Sequence, residues 1–307
     1  MAEQKKIDVV IPAYKPGEKF QKLIKMLQKQ TYPIHEILIM NTEKAYFPEA
    51  SVAGLPNVRV EHLTRAEFDH GGTRDKAAGL LSGDFFLFMT QDAVPADTYL
   101  VEKLAGAFDD EKVDAAYARQ LPNPDCSVIE RYTRSFNYPD APSVKTKKDL
   151  PKYGIKTFFC SNVCAMYRAE TYRRLGGFEK KTIFNEDMIF AGKIILNGGG
   201  IAYVPEARVI HSHNYGNMEQ FRRNFDLAVS QAEHPEIFAL ASSESEGMKL
   251  VKQTACYLIK SGHPWLIPEL IIKSGFKFIG YRLGKAYQKL PRGLVKWLSM
   301  NKSYWEK

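Results

Sequence analysis

Asp92 follows directly on Phe85-Phe86-Leu87-Phe88-Met89, an unbroken apolar run that reads as a buried strand emptying into Thr90-Gln91-Asp92. A carboxylate just beyond such a strand lies at the sheet's carboxyl edge, where a divalent cation held by it would grip a diphosphate. The same residue also suits the start of the turn Ala93-Val94-Pro95. Glu186 and Asp187 stand together in Phe184-Asn185-Glu186-Asp187, ahead of a helical pattern. Either acid has the chemistry to take a proton from an acceptor hydroxyl, although by spacing alone both serve more simply as helix caps. His211-Ser212-His213 ends a strand-like run, and alternation puts both imidazoles on one face. Such a pair ligates a metal, contacts phosphate or simply faces solvent. His70-Gly71-Gly72-Thr73-Arg74 joins two glycines, a helix start and a cation. That is an anion cradle with Arg74 as a charged donor, or an ordinary glycine turn.

The elements that must position these residues alternate in type. Ile7 to Ile11 reads as a doubly covered strand ending at Pro12-Ala13-Tyr14. A helix from about Pro16 follows, with Phe20, Leu23, Ile24 and Leu27 on one face. Glu36 to Met40 and Val58 to Leu63 are further strands, and Thr73 to Leu81 is a short helix capped by Thr73. The alternation predicts an α/β fold with a mostly parallel sheet flanked by helices. Ligands of such sheets bind beyond the carboxyl ends of the strands, which singles out the loops after Ile11, Met40 and Met89. Leu121 to Leu150, rich in Pro, Asp, Lys and Ser, reads as a long mobile excursion. Phe158 to Tyr167 is another core strand region. Met188 to Leu196 is a helix closed by Gly198-Gly199-Gly200, and Ile201 to Ile210 a strand broken at Pro205. Beyond Gly216 the pattern is helical.

Composition narrows the function classes. The chain has 307 residues, 45% of them apolar and 25% charged, enough for a large core. The polar opening Met1 to Lys6 shows no signal peptide, no apolar stretch is long enough to span a bilayer, and four scattered cysteines read as reduced thiols. The expected location is cytoplasmic. From Met248 onward there are 12 Lys or Arg against two acidic residues, so this segment carries +10 and the rest of the chain −2. All three tryptophans (Trp265, Trp297, Trp305) lie there. Leu270, Ile271, Ser274 and Phe278 can share one helical face, flanked by Lys273 and Lys277. A basic, aromatic-bearing amphipathic segment reads as an element for an anionic membrane surface, ahead of a solvated basic helix packed on the body or a nucleic-acid patch.

Taken together and in order, these residues resemble family-two glycosyltransferases with the GT-A (Rossmann-like) fold. The resemblance rests on Ile7-Asp8-Val9-Val10-Ile11-Pro12-Ala13-Tyr14, on Gln30-Thr31-Tyr32-Pro33, and on Ser82-Gly83-Asp84 through Thr90-Gln91-Asp92. It continues in Leu175-Gly176-Gly177-Phe178 followed by Asn185-Glu186-Asp187, and covers roughly residues 5–215. Phe68-Asp69-His70-Gly71-Gly72-Thr73-Arg74 and His211-Ser212-His213-Asn214-Tyr215 are similar to the branch that uses dTDP-L-rhamnose for surface polysaccharides. The resemblance implies a metal (Mg²⁺ or Mn²⁺) held by Asp92 with His211 and His213, Asp187 as the base, and Glu186 as an acceptor-binding neighbour. It implies that Pro12, Ala13 and Tyr14 line the nucleoside pocket and that Arg74 approaches the donor, with Asn41, His70, Gly71 and Gln91 beside them. Two departures stand out. Asn41-Thr42-Glu43-Lys44 replaces the acid and Gly-Ser usual after the second strand, and Thr90-Gln91-Asp92 has one carboxylate where many relatives have two.

The expected organisation is a catalytic domain over residues 1–235, with a donor half to about 95 and an acceptor half to about 235. A basic helical region over 236–307 follows. The expected reaction is an inverting transfer, most simply of rhamnose, from a dTDP- or UDP-sugar donor onto a glycan or lipid-linked saccharide acceptor. The enzyme would sit peripherally at the inner face of the cell membrane. Rival readings are a UDP-sugar enzyme of the same fold and a silent membrane-associated scaffold.

Overall fold

Apolar runs covered on both faces form the centre of the sheet. Val10, Leu38, Phe86 and Phe88 point to one side of it, and Val9, Ile11, Ile37, Ile39 and Leu87 to the other. A computed structural model describes residues 4–241 and 244–306, so Met1 to Glu3 of the polar opening and Lys307 of the basic tail lie outside the described residues. The strands are β1 (Ile7–Tyr14), β2 (Glu36–Thr42), β3 (Val58–Leu63), β4 (Phe85–Met89), β5 (Val94–Pro95), β6 (Val113–Leu121), β7 (Ser143–Lys145), β8 (Cys164–Arg168) and β9 (Gly200–Ile210). They form one sheet in the order β3-β2-β1-β4-β8-β6-β9-β5, with β7 also on β9.

The helices before the Glu186-Asp187 pair are α1 (Glu18–Leu27), α2 (His70–Gly79), α3 (Leu100–Gly106), α4 (Val128–Asn137), α5 (Leu150–Tyr153) and α6 (Ala169–Arg174). After it come α7 (Glu186–Leu196), α8 (Asn217–Glu233), α9 (Pro235–Phe238), α10 (Glu244–Lys260), α11 (Ile267–Lys285) and α12 (Arg292–Leu298).

β1 to β4 are parallel, as the alternation requires, but the second half of the sheet is mixed. β8 enters antiparallel between β4 and β6, and β9 runs parallel to β6. This insertion has a consequence for function. The carboxyl ends of β1, β2, β4, β6 and β9, and the amino end of β8, all open on the same edge.

Several local expectations shift. α2 begins at His70, one turn earlier than the pattern suggested, because the Asp69 carboxylate caps it at 2.6 Å from the Gly72 amide while Thr73 Oγ1 accepts from the Asp69 amide. The two glycines therefore lie inside the helix and not in a turn before it. Gly71 is required there, since a Cβ would fall 1.8 Å from the Glu179 carbonyl. Residues 121–150 are an ordered segment: Ser127 caps α4, whose Ile129 is buried, and β7 pairs with β9. β9 runs through Pro205 without a break, absorbing it in a register shift opposite Ala118 and Arg119.

The basic C-terminal helices are docked on the body. α11 lies along α8, and the approach is set by Gly280 and Gly284, where a Cβ would fall 2.3 Å from the carbonyls of Phe221 and Phe225. Phe221, Phe225, Val229, Val295 and Leu298 close the contact with Ile183. This docking decides which face of α11 is free. Leu270 turns inward, whereas Ile271, Ile272, Phe278 and Ile279 are all more than half exposed. The outward stripe thus differs from the one read off the sequence, and Lys277 turns inward with Leu270. Among the described residues, no helix is long and apolar enough to cross a membrane.

Candidate active site

The sheet edge brings the acid after β4 to the histidines after β9. Asp92 Oδ2 lies 3.5 Å from His211 Nε2 and 3.3 Å from His213 Nε2, and the two Nε2 atoms are 3.1 Å apart. Ligands about 2.1 Å from one ion, at 90–109° to each other, lie roughly 3.0–3.4 Å apart. The three side chains therefore fit a divalent cation, and they are the metal-competent cluster among the described residues.

The histidine tautomer is set from behind. Gln120, buried at the end of β6, turns Oε1 to His211 Nδ1 at 3.1 Å and accepts from Arg134 of α4 on the same oxygen. Its Nε2 donates to Ser161 Oγ at 3.0 Å. With Oε1 so fixed as the acceptor, His211 Nδ1 must donate, leaving Nε2 bare toward Asp92. Burial pushes His211 down to about 3 in spite of Asp92, so the ring is neutral. A neutral ring is the metal-binding form.

Asp187 and Glu186, the first residues of α7, are linked to this cluster through a chain of side-chain contacts. Asn162, just before β8, gives its backbone amide to Asp187 Oδ2 at 3.0 Å and its side-chain amide to Glu186 Oε1 at 3.3 Å. Its own Oδ1 is held by the Tyr167 hydroxyl at 2.9 Å. The connection between the cluster and the acids is short: Asp92 to His211, His211 to Gln120, Gln120 to Ser161, and the next residue binds both acids. Lys145, buried, fixes the approach to this turn by donating to the carbonyls of Lys156 and Phe159 at 2.8 and 2.7 Å.

The two acids have unlike environments. Glu186 is buried, and the Arg74 guanidinium lies 3.1 Å away. Burial alone would raise it, but Arg74 and His70 outweigh burial and hold it below its ordinary range. Asp187 keeps partial solvent contact, yet burial of the carboxyl and the neighbouring Glu186 charge raise it to about 7. Two adjacent carboxylates thus split into one held charged and one poised near neutrality, the usual division between electrostatic and proton-transfer roles.

The remaining sequence candidates fall at two places. Pro12, Ala13 and Tyr14 pair in register with Met40, Asn41 and Thr42 at the ends of β1 and β2. Gln91 joins them, accepting from the Tyr14 amide at 2.9 Å and donating to its carbonyl at 3.0 Å. Tyr14 is exposed, with Tyr46 edge-on to it; Asn41 is buried, and its Oδ1 has no hydrogen-bond partner. His70, Gly71 and Arg74 are not at this edge site. They pack on the acid pair, where Arg74 also donates to the His70 carbonyl at 2.8 Å. Sequence reasoning missed Gln120, Asn162 and Arg134. Only Asn162 carried a signal, as a polar residue inside the region Phe158 to Tyr167 that reads as a core strand.

The comparisons with known proteins identify the family. Residues 8–176 match the family Glycosyl transferase family 2. The chain is 37% identical over 302 residues to the O-antigen chain rhamnosyltransferase RfbN of Salmonella typhimurium, covering 98% of this chain and 96% of that protein. It is 36% identical to the O-antigen chain rhamnosyltransferase WbaN of Salmonella anatum, over 97% of this chain and 95% of that one. Among solved structures it is similar in fold to the mannosyltransferase PcManGT of Pyrobaculum calidifontis, solved with GDP-Man and Mn²⁺. That match has a TM-score of 0.58 at 15% identity and covers 99% of this chain and 86% of that one. With a GT-A sheet, a family match over more than half its length and relatives similar from end to end, the chain belongs to glycosyl transferase family 2 and is a glycosyltransferase.

Proposed function

We propose that the protein transfers L-rhamnose from dTDP-rhamnose, with inversion, onto a lipid-linked saccharide of a surface polysaccharide at the inner face of the cell membrane. The sugar and the polysaccharide are taken from the O-antigen rhamnosyltransferases that match this chain over nearly its whole length. The observation that carries the chemistry is the linkage, through Gln120, Ser161 and Asn162, of the Asp92–His211–His213 cluster to a carboxyl at Asp187 poised near neutral pH.

Asp187 accepts the proton of the acceptor hydroxyl while that oxygen bonds to the anomeric carbon and the bond to the diphosphate breaks. Glu186, kept charged by Arg74, raises the basicity of Asp187, and Asn162 holds both carboxyls in place. Asp92, His211 and His213 hold the divalent cation, which when bound supplies positive charge where the diphosphate departs. Two imidazole nitrogens favour Mn²⁺ over Mg²⁺, whose ligands are oxygens. Pro12, Ala13, Tyr14, Asn41 and Gln91, gathered at the ends of β1, β2 and β4, line the nucleoside side.

The donor assignment is tested by thermal unfolding with Mn²⁺ and a panel of nucleotide sugars. A ligand that binds only the native state at about 100 times its Kd stabilises by about 2.7 kcal/mol. The expected result is a clear rise of the midpoint with dTDP-rhamnose and a smaller one with UDP-glucose or UDP-N-acetylglucosamine. A larger rise with a UDP-sugar replaces the donor and leaves the fold and family untouched.

The C-terminal helices supply the membrane contact. Ile271, Ile272, Phe278 and Ile279 make one outward stripe on α11, and Trp265 before it is 68% exposed. Lys252, Lys260, Lys285, Lys289 and Arg292 are exposed around the same helices. Each cation near an anionic leaflet contributes about 1 kcal/mol, and the apolar side chains add their burial. Ile271→Ser, Phe278→Ser and Ile279→Ser together are expected to lower partitioning onto phosphatidylglycerol vesicles about tenfold or more, since each fully buried side chain contributes about 1.5–3 kcal/mol. Co-sedimentation reads this, and unchanged binding of the triple variant would count against the face.

A further inference from the structure

Arg223 of α8 is the cation that the reaction as described leaves without a task. Its guanidinium carbon lies 4.6 Å from the centroid of the Phe184 ring and 5.7 Å from that of Tyr215. One ring, Phe184, belongs to the segment of the acid pair, and the other, Tyr215, to the segment of the histidines. Tyr215 stacks on His213 with centroids 4.9 Å apart and planes at 23°, and His213 Nε2 is 3.3 Å from Asp92. Phe184 leads directly into Asn185-Glu186-Asp187. α8 is tied to that segment by Ser230 Oγ, which donates to the Phe184 carbonyl at 2.6 Å, and by Asn185 Nδ2, which donates to the Leu227 carbonyl at 3.1 Å. The guanidinium therefore stands between the metal-competent cluster and the acid pair.

Other guanidinium groups near the cleft have carboxylate partners: Arg74 has Glu186 and Arg134 has Glu130. Among the described residues, none places a carboxylate within ion-pair distance of Arg223. Two aromatic faces hold it in place and leave its in-plane N–H donors free. A planar, permanently charged fork with no counter-ion is matched to a phosphate anion.

We infer that Arg223 binds the diphosphate of the nucleotide donor, gripping it from the α8 side while Asp92 and the histidines meet it from the sheet edge. This inference rests on the glycosyl-transfer reading. It adds a second positive contact to a site whose acidic motif offers a single carboxylate. It also gives α8 and the docked α11 a part in donor binding, since their packing sets where the guanidinium stands.

Calorimetric titration of Mn²⁺-loaded protein with dTDP and with dTMP tests it, with UDP and UMP run in parallel. One charge-assisted contact corresponds to about 10–100-fold in affinity. Arg223→Met is expected to weaken the nucleoside diphosphate by about tenfold or more, while the monophosphate changes by less than about threefold. Arg223→Gln, closer in shape and polarity, is expected to show the same selective loss, and it stands in if the Met variant unfolds. Equal weakening of diphosphate and monophosphate, or no weakening of either, overturns the role of Arg223 and leaves the enzyme reading in place. Failure of the wild-type protein to bind either diphosphate overturns both.

Discussion

Asp187→Asn is expected to lower kcat by about 10²–10⁴-fold, the span that one positioned general base contributes. Donor affinity, measured by calorimetry, should stay within about twofold of the wild type, because a group acting only in the transition state leaves ground-state binding alone. The Asn162 and Met188 amides donate to different carboxylate oxygens, at 3.0 and 2.8 Å, so the amide variant keeps one of these bonds and loses the other, and a circular-dichroism melt should accompany the assay to show that the fold survives. Loss of donor affinity as large as the loss of rate would remove the base role.

The wild-type pH profile carries the same argument. The base works deprotonated, and burial together with the Glu186 charge raises Asp187 to about 7. The rate should therefore rise about tenfold per pH unit below that point and level off above it. Glu186→Gln removes a negative neighbour and leaves Arg74, so the rising limb should move to lower pH. A limb unmoved by that change would detach Glu186 from the reaction.

Asp92→Asn is expected to weaken Mn²⁺ binding by about 100-fold or more, since even an outer partner of a metal ligand is worth about 10–100-fold. Electron paramagnetic resonance of free Mn²⁺ reads this without any reaction taking place. Turnover should fall by about 10²–10³-fold, the cost of losing one stabiliser of transition-state charge. Excess Mn²⁺ should restore part of it, because the amide oxygen still offers a weak ligand. Asp92 Oδ2 lies within 3.5 Å of both imidazole nitrogens. Mn²⁺ affinity equal to that of the wild type would mean that Asp92 only orders the turn at Ala93-Val94-Pro95, and the metal reading would fall with it.

These two expectations depend on residues of different legibility. Asp92 was readable because Phe85 to Met89 is an apolar run too continuous to be anything but a central strand, and a residue that follows such a strand must surface at the sheet edge. The histidines were readable as a pair through strand alternation. Their meeting with Asp92 was not, because it depends on β9 lying three places from β4 in the sheet. Glu186-Asp187 read as helix caps, and Asp187 does accept from the Met188 amide at the start of α7. What separates the two acids is the partner each finds: Arg74, 112 positions away in sequence, neutralises one of them.

By itself the sequence determined the parallel half of the sheet, the loops that open on its carboxyl edge, and the excess of positive charge in the last sixty residues. Each of these is a local property, carried by apolar periodicity, by strand ends or by composition. The tertiary structure alone decided the rest. The antiparallel entry of β8 between β4 and β6 brought Asn162 and Gln120 to the site, and α4, read as part of a mobile excursion, placed Arg134 behind the histidine. Close packing at Gly280 and Gly284 chose the outward face of α11, and the bonds of Ser230 and Asn185 between α8 and the Phe184 segment brought Arg223 beside the acid pair. Those outcomes arise from contacts between segments far apart in the chain, which periodicity within one segment does not encode.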